Sequence, residues 1–355
     1  EVLDVDSTFT QADISDGKLK YNGSMTASDS FSIKVRNNVV DVANTAITQT
    51  DQYLFTKEYT LVFSPTMFSG DFNGDGSASV FKSDPLSSLK YTNSGVWSTY
   101  ESPGAGWSVA GSGDFNGDNI TDLLLAHNQD NALGVWTMNA NGTHGWLGLN
   151  EPLNVNEWSI AGIGDFDGNG VDDMLLYWKD CNYLGLRKLD NSGTGVTFWS
   201  GLGQVASGWS VKGTGDFNGD NRDDVLLVNE ISGSVGAWLT NTAVNGYSWA
   251  SVNSYDKGVW DVFGVGDFNG DSIDDVMLES KSLNYIGVWT LNSSAGVSGW
   301  IGLEQYDDQE WKPVGIGDYN GDGISDALLG SVSGNSLGAR LVSNGAVSGW
   351  LTLGS

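Results

Sequence analysis

Six short acidic segments carry the residue types that hold a hard cation. The clearest reads Asp318, Tyr319, Asn320, Gly321, Asp322, Gly323, Ile324, Ser325, Asp326, with Gly317 before it and Ala327, Leu328, Leu329 after it. Calcium takes six to eight oxygens at about 2.3–2.6 Å, and alternate residues of a tight loop can turn theirs toward one centre. Positions 1, 3, 5 and 9 would supply side-chain oxygens and position 7 a backbone carbonyl. The expected ligand sets are Asp114, Asn116, Asp118, Ile120 and Asp122; Asp165, Asp167, Asn169, Val171 and Asp173; Asp216, Asn218, Asp220, Arg222 and Asp224; Asp267, Asn269, Asp271, Ile273 and Asp275; and Asp318, Asn320, Asp322, Ile324 and Asp326. The first copy offers Asp71, Asn73, Asp75 and the Ser77 carbonyl, but Ser79 stands at its position 9. That site is expected to bind most weakly or not at all.

Position 7 has no shared side-chain chemistry, which only a backbone ligand tolerates. Position 4 is glycine in every copy, and position 6 is Gly76, Asn119, Gly170, Asn221, Ser272 or Gly323. Glycine and asparagine accept the positive φ that a loop folded around an ion demands; Ser272 departs from the pattern. An EF-hand would need a bidentate glutamate at position 12, where five copies carry Leu125, Leu176, Leu227, Leu278 and Leu329. Asp, Asn and Gly are also ordinary turn residues. Yet five copies that each crowd three ligand carboxylates into nine residues repel strongly without a cation, and five to six Ca2+ ions are expected.

These loops sit on a period. Asp71 and Asp114 are 43 residues apart, and Asp114, Asp165, Asp216, Asp267 and Asp318 follow at intervals of 51. One unit, from Trp209, reads as a strand to Gly213, the acidic loop, then strands at 225–228, 234–239 and 247–252. Four strands per repeat and no helical periodicity imply an all-β β-propeller of four-stranded blades. Counting back 51 residues from Asp71 reaches Lys20, whose surroundings keep Asn22 and Gly23 but lose the acids. Residues 1–55 therefore read as a degenerate first blade, Lys20 standing where the cation would sit, and 56–355 as the calcium-binding blades, seven in all. The alternative is six blades plus an N-terminal β segment.

Tryptophan repeats too. Trp107, Trp158, Trp209, Trp260 and Trp311 precede each loop, and Trp146, Trp199, Trp249, Trp300 and Trp350 sit on the fourth strands. Both sets are expected to pack blade against blade. A third set, Trp136, Trp238 and Trp289, gives way to Arg187 and Arg340 in the other two repeats. Arginine rarely replaces tryptophan in a core, so these five positions are expected to be partly exposed and are the candidate ligand-binding residues. The competing reading is a rim position where either side chain covers apolar surface.

The chain carries 44 acidic and 16 basic residues, a net charge of −28, which argues against nucleic acid and anionic membrane as partners. Cys181 is the single cysteine, so no intrachain disulfide can form. No apolar run is long enough to span a membrane. A start at Glu1 reads as a processed product or an excised piece. Millimolar calcium and weak calcium modules belong outside cells, which suggests a secreted or surface location. His127 and His144 are the only imidazoles and do not cluster; no nucleophile motif or open zinc pattern accompanies them, so no enzyme is expected.

The run Gly215, Asp216, Phe217, Asn218, Gly219, Asp220, followed by an apolar strand and by Gly287, Val288, Trp289 in the next unit, resembles the FG-GAP or VCBS repeats of bacterial surface proteins, related to the integrin α-subunit propeller. The resemblance covers 66–355 and implies a calcium-bearing propeller with metal loops between first and second strands. The stretch Phe9 to Ile14 with Ser28 to Ile33 also resembles cadherin-like adhesin modules, which would make residues 1–62 the tail of such a module. The leading functional expectation is an extracellular recognition or adhesion module for glycans or surface proteins. The alternatives are a structural element of a larger multidomain or filamentous assembly and a polysaccharide-degrading enzyme.

Overall fold

The computed structural model describes residues 66–83, 89–92, 97–127, 130–149, 152–154, 157–190, 196–241, 245–331 and 336–354, and the strands Ser32–Arg36 and Thr56–Thr60. Six four-stranded antiparallel sheets follow one another along the chain, over 66–99, 107–149, 158–204, 209–254, 261–305 and 311–354. Within each blade the strands pair in chain order. The first strands contact the first strands of both neighbouring blades, the last touching the first, so they form the innermost ring.

The apolar second strands follow from this arrangement. Asp224–Asn229 reads DVLLVN, and Val225 to Val228 are all buried. A strand covered on both faces by neighbouring blades needs a continuous apolar run rather than alternation. Six separate core clusters result, one at each blade junction. Each is filled by the aromatic at loop position 2: Phe72, Phe115, Phe166, Phe217, Phe268 and Tyr319, all at most 3% exposed. Burying a side chain of this size is worth about 1.5–3 kcal/mol.

One backbone hydrogen bond also repeats at every junction. The amide at loop position 8 donates to the position 1 carbonyl of the preceding blade: Thr121 to Asp71 (2.8 Å), Asp172 to Asp114 (2.7 Å), Asp223 to Asp165 (2.9 Å), Asp274 to Asp216 (2.8 Å) and Ser325 to Asp267 (2.7 Å). The sixth joins Ala78 of the first blade to Asp318 of the last at 2.5 Å. Thr92 Oγ1 donates to the Leu353 carbonyl (2.7 Å) across the same seam, and Ser69 Oγ shares a 2.6 Å hydrogen bond with Tyr319 Oη.

The ring thus closes at six blades, and the expectation of seven is corrected. Dividing the chain length by the period counted the residues before 66 as a blade. The groups that join blades occur in six mutually satisfied copies, leaving no junction for another. Strands Ser32–Arg36 and Thr56–Thr60 pair with each other in a two-stranded sheet of their own. Lys20 and the proposed boundary at residue 55 lie outside the described residues.

Candidate metal loops and aromatic clefts

Each loop is wound around its own position 1 carboxylate. Asp216 Oδ1 accepts amide hydrogens from Asn218 (3.1 Å), Gly219 (2.7 Å) and Asp220 (3.2 Å), and Oδ2 accepts that of Asn221 (2.7 Å). Asp114, Asp267 and Asp318 are enclosed in the same way. Donors can converge because positions 4 and 6 take positive φ in all six loops, from 60° to 86°. Ser272 does so too, at 63°, in the left-handed region that costs a residue with a Cβ roughly 1–2 kcal/mol.

Position 9 is the inner end of each of these loops. Asp122, Asp173, Asp224, Asp275 and Asp326 have no solvent exposure. Oδ1 accepts an amide hydrogen from the third strand: from Met138 (2.7 Å), Leu189, Thr240, Leu291 and Val342 (2.8 Å each). In four of them Oδ2 accepts the position 2 amide hydrogen, at 3.0 to 3.2 Å. Burial pushes Asp122 and Asp173 up to about 8, and Asp224, Asp275 and Asp326 up to about 7.

The third loop differs. Asp165, Asp167 and Asp173 bring carboxylate oxygens within 4.8 Å of one another, and no other described trio of acids, histidines or cysteines does so. Asp167 Oδ1 and Asp173 Oδ2 are buried there without a hydrogen-bond partner. An all-oxygen donor set with orphaned buried acceptors fits a hard divalent cation. Lys188 Nζ lies 2.9 Å from Asp167 Oδ2. In the fourth loop the Arg222 guanidinium is 2.5 Å from Asp220 Oδ2, so two loops contain a protein cation beside an expected ligand. In the first, Ser79 Oγ donates to the Gly70 carbonyl (3.2 Å) and Asn73 Oδ1 is buried without a partner.

Position 7 has a role that its varied side chains concealed. The side chains of Ile120, Val171, Arg222, Ile273, Ile324 and Ser77 each lie against the position 4 glycine of the preceding loop, where an added Cβ would come within 2.9 to 3.4 Å of them. Position 8 was missed in the sequence. Asp172, Asp223 and Asp274 accept the position 1 amide hydrogen of the blade before through Oδ2, at 2.7, 2.8 and 2.9 Å. Burial raises all three carboxyls, Asp172 and Asp274 to about 7. The doublets Asp172–Asp173, Asp223–Asp224 and Asp274–Asp275 were the available signal.

The first-strand tryptophans pack against the junction cores as expected, and the other two sets depart from expectation in part. Trp136 and Trp238 are only 6% and 4% exposed, which corrects the expected partial exposure at these two positions, whereas Trp289, Arg187 and Arg340 are partly exposed as expected. Arg340 takes the equivalent place in the last blade because its guanidinium donates to the carbonyls of Leu303 and of Gln305 (3.1 Å) on the neighbouring blade. Burial lowers its pKa. Arg187 is likewise half-buried and has a partner. The exposed set is that of the fourth strands: Trp146, Trp199, Trp249, Trp300 and Trp350 are 42% to 53% exposed.

Their exposure has a cause two residues before the third set. Gly134, Gly185, Gly236, Gly287 and Gly338 lie under these rings, and a Cβ on any of them would come within 2.1 to 2.3 Å of an indole carbon. The first-strand tryptophan meets each ring edge to face, with centroids 5.0 to 5.6 Å apart. Five such tryptophan pairs repeat around the ring. Between the third and fourth blades lies a cavity of about 340 Å³ lined by Gln204, Val205, Ala206, Trp209, Leu227, Trp238, Tyr247 and Trp249.

The two imidazoles stay apart. His127 Nδ1 pairs with Asp130 Oδ1 (2.6 Å), while His144 stacks on Trp136 with centroids 4.0 Å apart. Cys181 is exposed. Among the described residues no helix is long and apolar enough to cross a membrane.

Residues 114–176, which span the second and third loops, match the family model described as FG-GAP-like repeat. The ring is a six-bladed propeller, and its second and third loops are similar to FG-GAP-like repeats. The crystal structure of AofleA from Arthrobotrys oligospora is similar at a TM-score of 0.53 with 12% identity, covering 82% of this chain and 87% of that one. YCF48 from Cyanidioschyzon merolae gives 0.39 and 10%, covering 82% and 86%. At such identities AofleA bears on the fold alone. No curated protein matches the sequence.

Proposed function

We propose that this propeller is a non-enzymatic extracellular recognition or adhesion module, stabilised by calcium, that binds glycans or surface proteins. The observation that carries the reading is the set of five half-exposed tryptophans held on a ring whose junctions repeat. Exposed aromatics fixed by a rigid scaffold lose little entropy on binding. Calcium is the ion that best suits loops of aspartate, asparagine and carbonyl oxygen. Bound there, it would supply positive charge between the position 1, 3, 5 and 9 groups and hold each first strand to its second. Scattered imidazoles and acids committed to the loops support a binding role over a catalytic one.

Arrays of glycans and of surface proteins, probed with the intact chain in calcium and in excess chelator, test this reading. It expects retention on at least one class, weakened by chelation. Retention on neither would overturn it.

A further inference from the structure

The cleft between the third and fourth blades is unlike a packing defect. It crosses all four strands of one blade and is closed by the end of the previous one, since Gln204 ends a fourth strand and Trp209 begins the next first strand. Its volume of about 340 Å³ is at the small end of ligand pockets, about 300–1,000 Å³. One wall is the Trp238–Tyr247 stack, with centroids 3.8 Å apart and planes 7° from parallel. The other is the Trp209–Trp249 pair, edge to face at 87°.

The chemistry of the lining restricts the occupant. No charged side chain lines the cavity, although the chain carries −28. An ionic ligand would lose its hydration and gain no counter-charge. Besides the indole N–H groups of its tryptophans, the polar side chains are an amide and a phenol. Gln204 Nε2 donates to the Cys181 carbonyl at 3.1 Å, which anchors the amide. Tyr247 is 38% exposed, and its hydroxyl makes no hydrogen bond within the described residues. Flat aromatic walls with one amide and one hydroxyl suit a ligand with an apolar C–H face and a hydroxylated edge.

We propose that this cleft binds a neutral pyranose of a glycan, stacked on Trp249 and hydrogen-bonded by Gln204 and Tyr247. The proposal rests on the recognition reading and narrows it to one ligand class and one site. The second and fifth blades lack the parallel tyrosine stack; at the equivalent positions they carry His144 on Trp136 at 25° and a half-buried Trp289. The third and sixth carry Arg187 and Arg340 at the equivalent position. One strong site per ring is therefore expected.

Saturation-transfer NMR of the full chain in calcium, with methyl glycosides of neutral hexoses and N-acetylhexosamines, provides the test. A sialylated saccharide, a sulfated saccharide and a proline-rich peptide serve as comparators. At least one neutral glycoside should bind, with a stoichiometry near one. Trp249→Ala should weaken it about tenfold or more, and Tyr247→Phe, which retains the stack, about threefold or more, with melting temperature checking the fold of each. The proposal is overturned if no neutral glycoside binds, if a charged saccharide or the peptide binds better, or if both variants bind like the parent. Protein ligands retained on the array without glycoside binding would defeat the proposal and leave the recognition reading standing.

Discussion

Ser272 is held at φ 63° by a loop that elsewhere places glycine or asparagine at this position. Ser272→Gly removes the Cβ strain and returns part of the gain as unfolded-chain entropy, so a net stabilisation of about 0.5–1 kcal/mol is expected in urea unfolding. A loss of stability would mean that the Ser272 side chain does something else. In the third loop Lys188 stands beside Asp167 where a cation would bind. Lys188→Met should raise calcium affinity in a titration that resolves individual sites, because an internal competitor is gone; lowered affinity would make Lys188 a support of the loop instead. The acids that crowd each loop, the candidate ligands, were legible from their spacing alone. The burial of Trp136 and Trp238 was not, because arginine at two of five positions implied solvent, whereas the Arg340 guanidinium is held by carbonyls of the preceding blade. The glycines two residues before the third set marked which indoles lie flat and exposed.

At the scale of the element, the loop and its second strand act as one clamp, since the same position 9 carboxylate holds a position 2 amide and a third-strand amide. Burial raises these carboxyls to about 7 or 8, above the roughly 3.9 of an unfolded aspartate. A raised folded-state pKa gives stability that is fully present below about 3.9 and lost as pH rises through the folded-state value. Without calcium the propeller should therefore melt lower at about pH 8 than at about pH 5. A bound cation offsets the charge that causes this loss, so the gain in melting temperature from millimolar calcium should grow over the same interval. A gain that shrinks toward pH 8 would contradict the assignment. Strand order and blade boundaries were legible from the period and the apolar second strands. The inter-blade bonds were not, because a backbone amide at position 8 leaves no side-chain signature.

For the whole molecule, stability should depend on the closing seam as well as on each blade. Tyr319 stands where five blades use phenylalanine, and its hydroxyl bonds Ser69 across the seam. Tyr319→Phe is expected to cost about 1 kcal/mol, and Phe217→Ala, at an interior junction, about 3–5 kcal/mol; equal costs in thermal unfolding would refute the distinction. Blade number could not be read from length, because length contains residues outside the ring. It could be read from the recurring loops, of which there are six, five complete and the first lacking its position 9 acid. The claim beneath all of this is that the acidic loops bind calcium and hold the ring together. Calorimetric titration of chelator-stripped protein with calcium, followed by a melt at saturation, tests it most directly. The expected result is five to six bound ions, the first loop weakest, with a large rise in melting temperature. An absence of binding heat together with an unchanged melt would contradict it.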